Sequence, residues 1–138
     1  MRQGEVVFVD TGAWIALALT RDPLHERARA SWDALVGRGA RLVTSVPVVL
    51  ETFTFLDRNA ARDVALSWKD SLAHVKRLET LECTPADVSR CWAWFTRKEL
   101  HRLSAVDATS FVLMARRKIR LAFSFDHHFA AAGFQLVD

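Results

Sequence analysis

The first extended run of the chain reads Val6-Val7-Phe8-Val9-Asp10-Thr11-Gly12-Ala13-Trp14, and it indicates the class of fold. Four apolar, mostly β-branched residues in a row are typical of a strand that is buried on both faces of a parallel sheet. Helix-forming residues follow at once, from Ala13 to Leu19, and Asp10 stands where the strand ends. The segment therefore predicts the first strand and helix of an α/β fold, with an acid at the sheet edge where ligands collect in such folds.

Strand-like and helix-like segments alternate along the rest of the chain. Further strands are predicted at Arg41 to Thr44, Leu121 to Phe123 and Phe134 to Val137, and the segment from Lys76 to Leu81 fits either a strand or a loop. Helices are predicted from Asp22-Pro23 to about Val36, from Pro47 through Leu56, from Ala60 to Val75, from Thr84-Pro85 toward Thr96, and from Ser104 to near Lys118. This alternation predicts an α/β fold with a largely parallel central sheet.

Length and composition limit the kinds of protein that the chain can be. It has 138 residues, of which 51% are hydrophobic and 25% charged, which predicts one globular domain over residues 1–138. The two cysteines, Cys83 and Cys91, form no CxxC pair, which argues against a disulfide scaffold or a zinc ribbon and favours a reducing cytoplasm. The net charge of +3 is compatible with a nucleic-acid partner without requiring one.

The start of the chain lacks the pattern of a targeting or membrane segment. Glu5 lies where a signal peptide carries basic residues, and Asp10 and Thr11 interrupt the apolar run from Val6 to Leu19. The sequence therefore predicts neither a signal peptide nor a membrane span.

Two acids stand directly after apolar strands. Asp10 follows Val6 to Val9, and Asp126 follows the apolar segment from Leu121 to Phe125. The carboxyl ends of parallel strands meet at one edge of a sheet, where ligands bind, so both acids are candidate functional residues. Each could instead cap the helix that follows, because Asp is a favoured N-cap residue.

Two further acids lie on apolar faces of predicted helices. Glu51 has Val48 three residues before it and Phe55 four residues after it. Asp107 has Phe111 four residues after it. A charged carboxylate on such a face needs a cationic partner, which can be an arginine or a metal ion.

Asp107 has another ordinary explanation. Ser104-Ala105-Val106-Asp107 has the pattern of a capping box, in which a hydroxyl and an acid three residues later satisfy the start of a helix. Thr84-Pro85-Ala86-Asp87 has the same pattern. Spacing alone does not distinguish a capping acid from a functional one, so both interpretations of Asp107 remain open.

Taken together, Asp10, Glu51, Asp107 and Asp126 are harder to explain by capping than any one of them alone. Four carboxylates gathered at one place would repel each other, and Mg²⁺ or Mn²⁺ relieves that repulsion through hard oxygen ligands. Such a group of acids is suited to metal-assisted hydrolysis of phosphodiesters.

Four motifs in chain order span nearly the whole sequence: Val9 to Trp14, Thr44-Ser45 with Glu51-Thr52, Ser104 to Ala108, and Phe123 to Phe129 with Gly133-Phe134. Their order and spacing resemble those of PIN domains, in particular the VapC-like ribonuclease toxins of prokaryotic toxin–antitoxin pairs. The resemblance implies a three-layer α/β/α fold and an Mg²⁺-dependent endoribonuclease, with Mn²⁺ as a substitute ion.

The resemblance also implies roles for individual residues. Asp10 and Asp107 would be the main metal ligands, and Glu51 and Asp126 would complete the catalytic pocket. Thr11 would supply a hydroxyl that orients a metal ligand or a bound water, although it could equally serve only to start the helix. An RNA substrate, a homodimer and a small antitoxin whose tail occupies the active-site groove are implied as well.

Histidines and basic residues near these motifs have two interpretations each. His127-His128 could be metal ligands beside Asp126, but adjacent residues rarely both face one ion, so an exposed loop is favoured. The basic run Arg116 to Arg120 could contact RNA phosphates or simply end a helix favourably, and the second interpretation is preferred. Phosphate contacts are expected instead from Arg97 and Arg102.

The helix that starts at Thr84 is predicted to place Trp92 and Phe95 on one apolar stripe with Val88, and to leave Trp94 exposed.

An alternative of another class is a non-catalytic PIN-like module that binds RNA or protein. The presence of all four acids argues against it. Metal-dependent cleavage of RNA, abolished by a chelator, would distinguish the two.

Overall fold

In the computed structural model, which describes residues 4–137, a five-stranded sheet forms the centre of the molecule. Its strands are β1 (Val6–Val9), β2 (Arg41–Ser45), β3 (Leu78–Leu81), β4 (Leu121–Phe123) and β5 (Gln135–Leu136). They lie in the order β3-β2-β1-β4-β5, and every neighbouring pair is parallel. The predicted α/β fold with a parallel sheet is confirmed. The segment from Lys76 to Leu81, whose sequence fits either a strand or a loop, contains strand β3.

Residues 1–3 and 138 lie outside the described part of the chain. The predicted domain limits at 1 and 138 therefore stay predictions, as does the absence of a signal peptide insofar as it rests on residues 1–3.

Strand β1 is buried on both faces, as its sequence predicts. Val7, Phe8 and Val9 are all fully buried, and successive residues of a strand point to opposite faces of the sheet. Both faces must therefore be covered by helices, which gives the three-layer α/β/α arrangement. The carboxyl end of this central strand is where Asp10 stands.

Seven α-helices surround the sheet within residues 4–137. They are α1 (Thr11–Ala18), α2 (His25–Gly37), α3 (Val46–Asn59), α4 (Arg62–Ser71), α5 (Pro85–Cys91), α6 (Ala105–Arg116) and α7 (His128–Ala131). Short 3₁₀ helices cover Leu72–His74, Trp92–Thr96 and Lys98–Leu100. Among the described residues, no helix is long and apolar enough to span a membrane.

The helices predicted from Asp22-Pro23 and over Ala60 to Val75 have different limits in the structure. The helix predicted from Asp22-Pro23 begins at His25, because the Asp22 carboxylate accepts a hydrogen bond from the Leu24 amide (2.8 Å) and forms a turn ahead of the helix. The long helix predicted over Ala60 to Val75 is the shorter α4, which ends at Ser71 and continues as a 3₁₀ turn.

The aromatic residues after α5 are placed opposite to the prediction. Helix α5 ends early and continues as a 3₁₀ helix over Trp92–Thr96. A 3₁₀ helix has three residues per turn instead of 3.6, so its side chains rotate away from the α-helical stripe. Trp92 and Phe95 are 57% and 45% exposed, whereas Trp94 is half-buried and packs against Phe111 with ring centroids 5.0 Å apart.

Candidate metal and active site

Asp10 and Asp126 come together because their strands are neighbours. Strands β1 and β4 are parallel, with Val9 opposite Phe123, so the residues that follow leave the sheet side by side. Ser124 joins the two acids: its hydroxyl donates a hydrogen bond to Asp10 Oδ2 (3.0 Å) and accepts one from the Asp126 amide (3.0 Å). The carboxyl edge of the sheet thus holds two of the predicted acids through one bridging residue.

Asp10 does not act as a capping side chain. It precedes α1, but its buried carboxylate makes no capping hydrogen bond to that helix. Trp14 of α1 donates from Nε1 to Thr44 Oγ1 (3.1 Å), and the Thr44 hydroxyl donates to the carbonyl oxygen of Val9 (3.0 Å). These buried bonds tie α1 and β2 to the end of β1, which fixes the backbone from which Asp10 projects.

Glu51 reaches the site from α3. Ser45 begins this helix, because its Oγ accepts a hydrogen bond from the Val48 amide (3.3 Å). Thr52 is buried, and its hydroxyl donates to the Val48 carbonyl (2.8 Å). The hydroxyls of Thr44, Ser45 and Thr52 therefore fix the position of the first turns of α3 against β1 and β2. Glu51 on this helix lies close enough for its charge to raise the pKa of Asp10.

The face of α3 that carries Glu51 is not the core face that the sequence predicts. Val48 is fully buried, but Phe55 is 39% exposed. Phe55 lines an open groove of about 690 Å³ together with Leu50, Val106 and Glu51 itself. The apolar side chains around Glu51 therefore form the wall of a groove that reaches the acidic cluster.

Asp107 is buried at the start of α6. The Ser104 hydroxyl accepts a hydrogen bond from the Asp107 amide (3.0 Å) and caps the helix. In the complete capping box of α5, the Asp87 carboxylate also accepts a bond from the Thr84 amide (2.9 Å). In α6 this second half is missing, and the Asp107 carboxyl is hydrogen-bonded to Asp126 instead.

Burial and mutual repulsion raise the pKa of two of these acids. Burial is the largest cause for Asp10, whose pKa rises to about 6, and the charges of Glu51 and Asp126 add to the rise. Burial also raises the pKa of Asp107 to about 9, assisted by the charge of Asp10 and by the contact with Asp126. A cation placed among these carboxyls would favour their ionised forms.

The pKa of Asp126 is shifted in the opposite direction. Burial of Asp126 would raise its pKa, but hydrogen bonds from the His128 amide (2.9 Å) and from the Asp107 carboxyl, together with the nearby His128 side chain, hold that pKa below its usual value. Asp107 therefore keeps a proton that it donates to Asp126, as expected for two neighbouring carboxyls that cannot both be charged at low cost.

Three buried polar atoms around this cluster have no hydrogen-bond partner among the described residues: Oδ1 of Asp10, Oγ1 of Thr11 and Nδ1 of His128. Buried polar atoms in proteins nearly always have a partner. A hydrated divalent ion would satisfy the carboxylate and hydroxyl oxygens, and ligand atoms of Asp107, Asp126 and His128 lie within 4.8 Å of one another. The residues present therefore fit a divalent metal ion.

His128 differs from the exposed loop residue that the sequence favours. It is only 7% exposed, and its Nδ1 lies 2.9 Å from Asp126 Oδ1 and 3.9 Å from Asp107 Oδ2. Its neighbour His127 is exposed, as predicted. The sequence could indicate that at most one of two adjacent histidines faces the site, but the turn after Asp126 determines which one.

The basic residues differ in whether they are paired. Arg116 contacts Asp87 (3.1 Å) and Arg117 contacts Glu79 (2.8 Å), in agreement with a structural role for this end of α6. Arg102 lies in the loop that leads to Asp107 and, among residues 4–137, has no ion-pair partner.

The fold and the acidic cluster together define a class of protein. The model of the PIN domain family matches residues 7–135, a range that includes part or all of every strand of the sheet and all four acids. The chain belongs to the PIN domain family, as its motifs indicate.

Relatives within this family narrow the class further. The 23S rRNA-specific endonuclease VapC20 of Mycobacterium tuberculosis is 35% identical over 133 residues, which cover 94% of this chain and 95% of the relative. The crystal structure of M. tuberculosis VapC20, described as a sarcin–ricin loop cleaving toxin, matches with a TM-score of 0.82 and 31% identity over 93% of this chain and 95% of that one. VapBC-1 from nontypeable Haemophilus influenzae shares the fold, with a TM-score of 0.68 and 14% identity over 96% and 97% of the two chains. The chain is thus a VapC-like PIN-domain endoribonuclease.

Proposed function

We propose that this chain hydrolyses RNA phosphodiester bonds with Mg²⁺ at a four-carboxylate site, and that it is the toxin of a toxin–antitoxin pair. The observation that supports this best is the contact between the buried Asp107 and the half-buried Asp126 beside Asp10. Within residues 4–137, no arginine or lysine forms an ion pair with these acids. Crowded, unneutralised carboxylates reduce stability, so binding a cation explains why they are there.

Asp10 and Asp107 would hold the ion as its main ligands, and Glu51 and Asp126 would complete the pocket. Thr11, whose buried hydroxyl has no partner among the described residues, would orient a ligand or a bound water. A bound Mg²⁺ or Mn²⁺ supplies Lewis acidity toward the phosphate and lowers the pKa of the attacking water. Asp107 must lose the proton that it shares with Asp126 before its carboxylate can serve as a ligand.

The substrate we propose is 23S rRNA, cut in the sarcin–ricin loop in the cytoplasm. The support is the 35% identity with VapC20 over nearly the full length of both chains, together with the agreement of the two folds.

Intact ribosomes provide the direct test. The purified chain would be incubated with them in Mg²⁺ or in excess EDTA, and the new ends of 23S rRNA mapped by primer extension. We expect one cut in the sarcin–ricin loop, absent in EDTA and absent for Asp10→Asn. Asp33→Asn is the matched control, because Asp33 is an exposed acid outside the cluster and its loss should leave the rate unchanged.

The outcomes separate the parts of the proposal. Cleavage of tRNA or mRNA without cleavage of 23S rRNA would contradict the substrate and leave the nuclease activity intact. If the wild-type chain cut no RNA with either Mg²⁺ or Mn²⁺, the non-catalytic module that binds RNA or protein would become the better interpretation.

We also propose an antitoxin partner and a homodimer. The groove lined by Leu50 and Phe55 would bind an apolar segment of the antitoxin next to Glu51. A second copy of the chain would cover the exposed pair of Trp92 and Phe95. Light scattering should show a dimer that Trp92→Glu converts to a monomer. Leu50→Glu should stay dimeric and lose binding to the protein encoded by the adjacent reading frame.

A further inference from the structure

One ring nitrogen of His128 is fixed by a backbone contact. Nε2 lies 2.8 Å from the carbonyl oxygen of His101, in the loop before α6. A carbonyl oxygen can only accept a hydrogen bond, so Nε2 carries a proton. In the neutral ring this leaves Nδ1 without a proton and with its lone pair available.

The other nitrogen points into the acidic cluster. Nδ1 is buried and has no hydrogen-bond partner among residues 4–137. It lies 2.9 Å from Asp126 Oδ1 and 3.9 Å from Asp107 Oδ2, close enough for one cation to contact all three side chains. A lone pair facing the Asp126 carboxylate is unfavourable unless a cation lies between them.

An alternative is that His128 is doubly protonated and forms an ion pair with Asp126. The short distance between Nδ1 and Oδ1 would suit this, but the two atoms are not aligned for a hydrogen bond. The arrangement places Nδ1 and the carboxylate oxygens of Asp126 and Asp107 where one cation can contact all of them.

We propose that Nδ1 of His128 is a direct ligand of the divalent ion held by Asp107 and Asp126, an inference that rests on the metal-dependent function proposed above. The site then combines carboxylate oxygens with one imidazole nitrogen. Mg²⁺ binds oxygen ligands almost exclusively, whereas the first-row transition ions also accept nitrogen. The site should accordingly bind Mn²⁺ more tightly than Mg²⁺.

Pulsed electron paramagnetic resonance of the Mn²⁺-loaded, full-length chain tests this without any RNA. A nitrogen bound directly to Mn²⁺ gives a hyperfine coupling that changes when ¹⁴N is replaced by ¹⁵N. We expect such a coupling in protein grown with ¹⁴N-histidine and its ¹⁵N counterpart in protein grown with ¹⁵N-histidine. A wild-type spectrum without a histidine coupling would overturn the proposal.

His127 provides the matched control, because it is the adjacent histidine and its side chain is 83% exposed. His127→Asn should retain the nitrogen coupling and the Mn²⁺ affinity. His128→Asn should lose the coupling and bind Mn²⁺ about tenfold or more weakly. A coupling that persists in His128→Asn, or that disappears in His127→Asn, would also overturn the proposal.

The design separates this inference from the proposed function. If His128→Asn does not fold, the isotope comparison in the wild type and in His127→Asn still decides between the two histidines. Mg²⁺-dependent RNA cleavage without a histidine coupling would contradict the nitrogen ligand alone. A histidine coupling in a chain that cuts no RNA would support the ligand and contradict the nuclease activity.

Discussion

Asp87 and Asp107 occupy the same position, three residues after a capping hydroxyl, yet their carboxyls face opposite environments. Hydrogen bonds from Thr84 and the guanidinium of Arg116 (3.1 and 3.2 Å) hold the pKa of Asp87 below its usual value, against the effect of its burial. Asp107 is buried among other acids, and its pKa is raised. Charge on Asp87 therefore stabilises the fold, whereas charge on Asp107 destabilises it.

This contrast predicts opposite effects of one substitution. Asp87→Asn should lower the free energy of unfolding by about 1–2 kcal/mol, because it weakens a cap and an ion pair, and should leave RNA cleavage intact. Asp107→Asn should abolish cleavage. It should also raise the Tm of the metal-free protein by a few degrees, which corresponds to an increase of about 1 kcal/mol in the free energy of unfolding. Thermal unfolding and cleavage assays on both variants check this. Wild-type cleavage by Asp107→Asn would restore capping as the role of Asp107.

The raised pKa values of Asp10 and Asp107 predict a pH dependence of stability. Between about pH 4 and pH 9 the folded chain retains protons on these groups that the unfolded chain has lost. Their contribution to stability is therefore complete below pH 4 and decreases as the pH rises through this window. In EDTA, the Tm of the wild type should fall between pH 5 and pH 9 relative to that of a variant with Asn at both positions.

Mg²⁺ should reverse this trend, because the ionised carboxylates that destabilise the metal-free fold are the form that binds the ion. The stabilisation by Mg²⁺ should grow with pH in the wild type and be absent in the double variant. A Tm difference between wild type and variant that is independent of pH would contradict the assigned pKa shifts.

Much of the fold and the positions of the acids could be predicted from the sequence. The apolar run before Asp10 and the one before Asp126 predict buried parallel strands, and the carboxyl ends of such strands meet at one edge. Each of these strands can be predicted from its own few residues, without knowledge of the rest of the fold. The same holds for the start of α6, where Ser104 caps the helix as its pattern predicts.

The contacts that distinguish the acids could not be predicted, because they depend on tertiary structure. The Asp107 carboxyl does not complete a capping box, because it is hydrogen-bonded to Asp126, which lies nineteen positions later in the chain. The exposure of Phe55 depends on the groove between α3 and α6. Local periodicity also misplaced Trp92, since it assumes 3.6 residues per turn where the chain forms a 3₁₀ helix.

Ser124 should affect metal binding although it is not an acid. Its hydroxyl contacts both Asp10 and the Asp126 amide, so Ser124→Ala removes the group that orients two acids of the site. Loss of such a partner typically weakens metal affinity by about 10–100-fold. Calorimetric titration with Mn²⁺ measures this, with Ser89→Ala on the exposed face of α5 as the control. Equal affinities for the two variants would show that the Ser124 bridge serves the fold only.

Arg102 has its backbone in the left-handed region (φ 64°) and follows His101, whose carbonyl contacts His128. This loop lies beside the site, and Arg102 has no ion-pair partner within residues 4–137, so we expect it to contact an RNA phosphate. Asparagine tolerates the left-handed conformation, which makes Arg102→Asn the suitable variant. In an inactive Asp10→Asn background it should weaken binding to all RNA sequences alike. It should also reduce the slope of log affinity against log salt by about 0.7, the value for one phosphate contact on a single strand.

Arg120 is the matched control for this measurement. It is exposed and unpaired within the described residues, but it precedes β4 and therefore lies at the opposite edge of the sheet from the acids. Arg120→Asn should leave the salt slope unchanged, because a charge far from the bound strand releases no condensed counterions. Nonspecific attraction by the net positive charge would lower the slope equally in both variants. A smaller slope for Arg120→Asn with an unchanged one for Arg102→Asn would place the RNA on the other side of the molecule, away from the carboxylates.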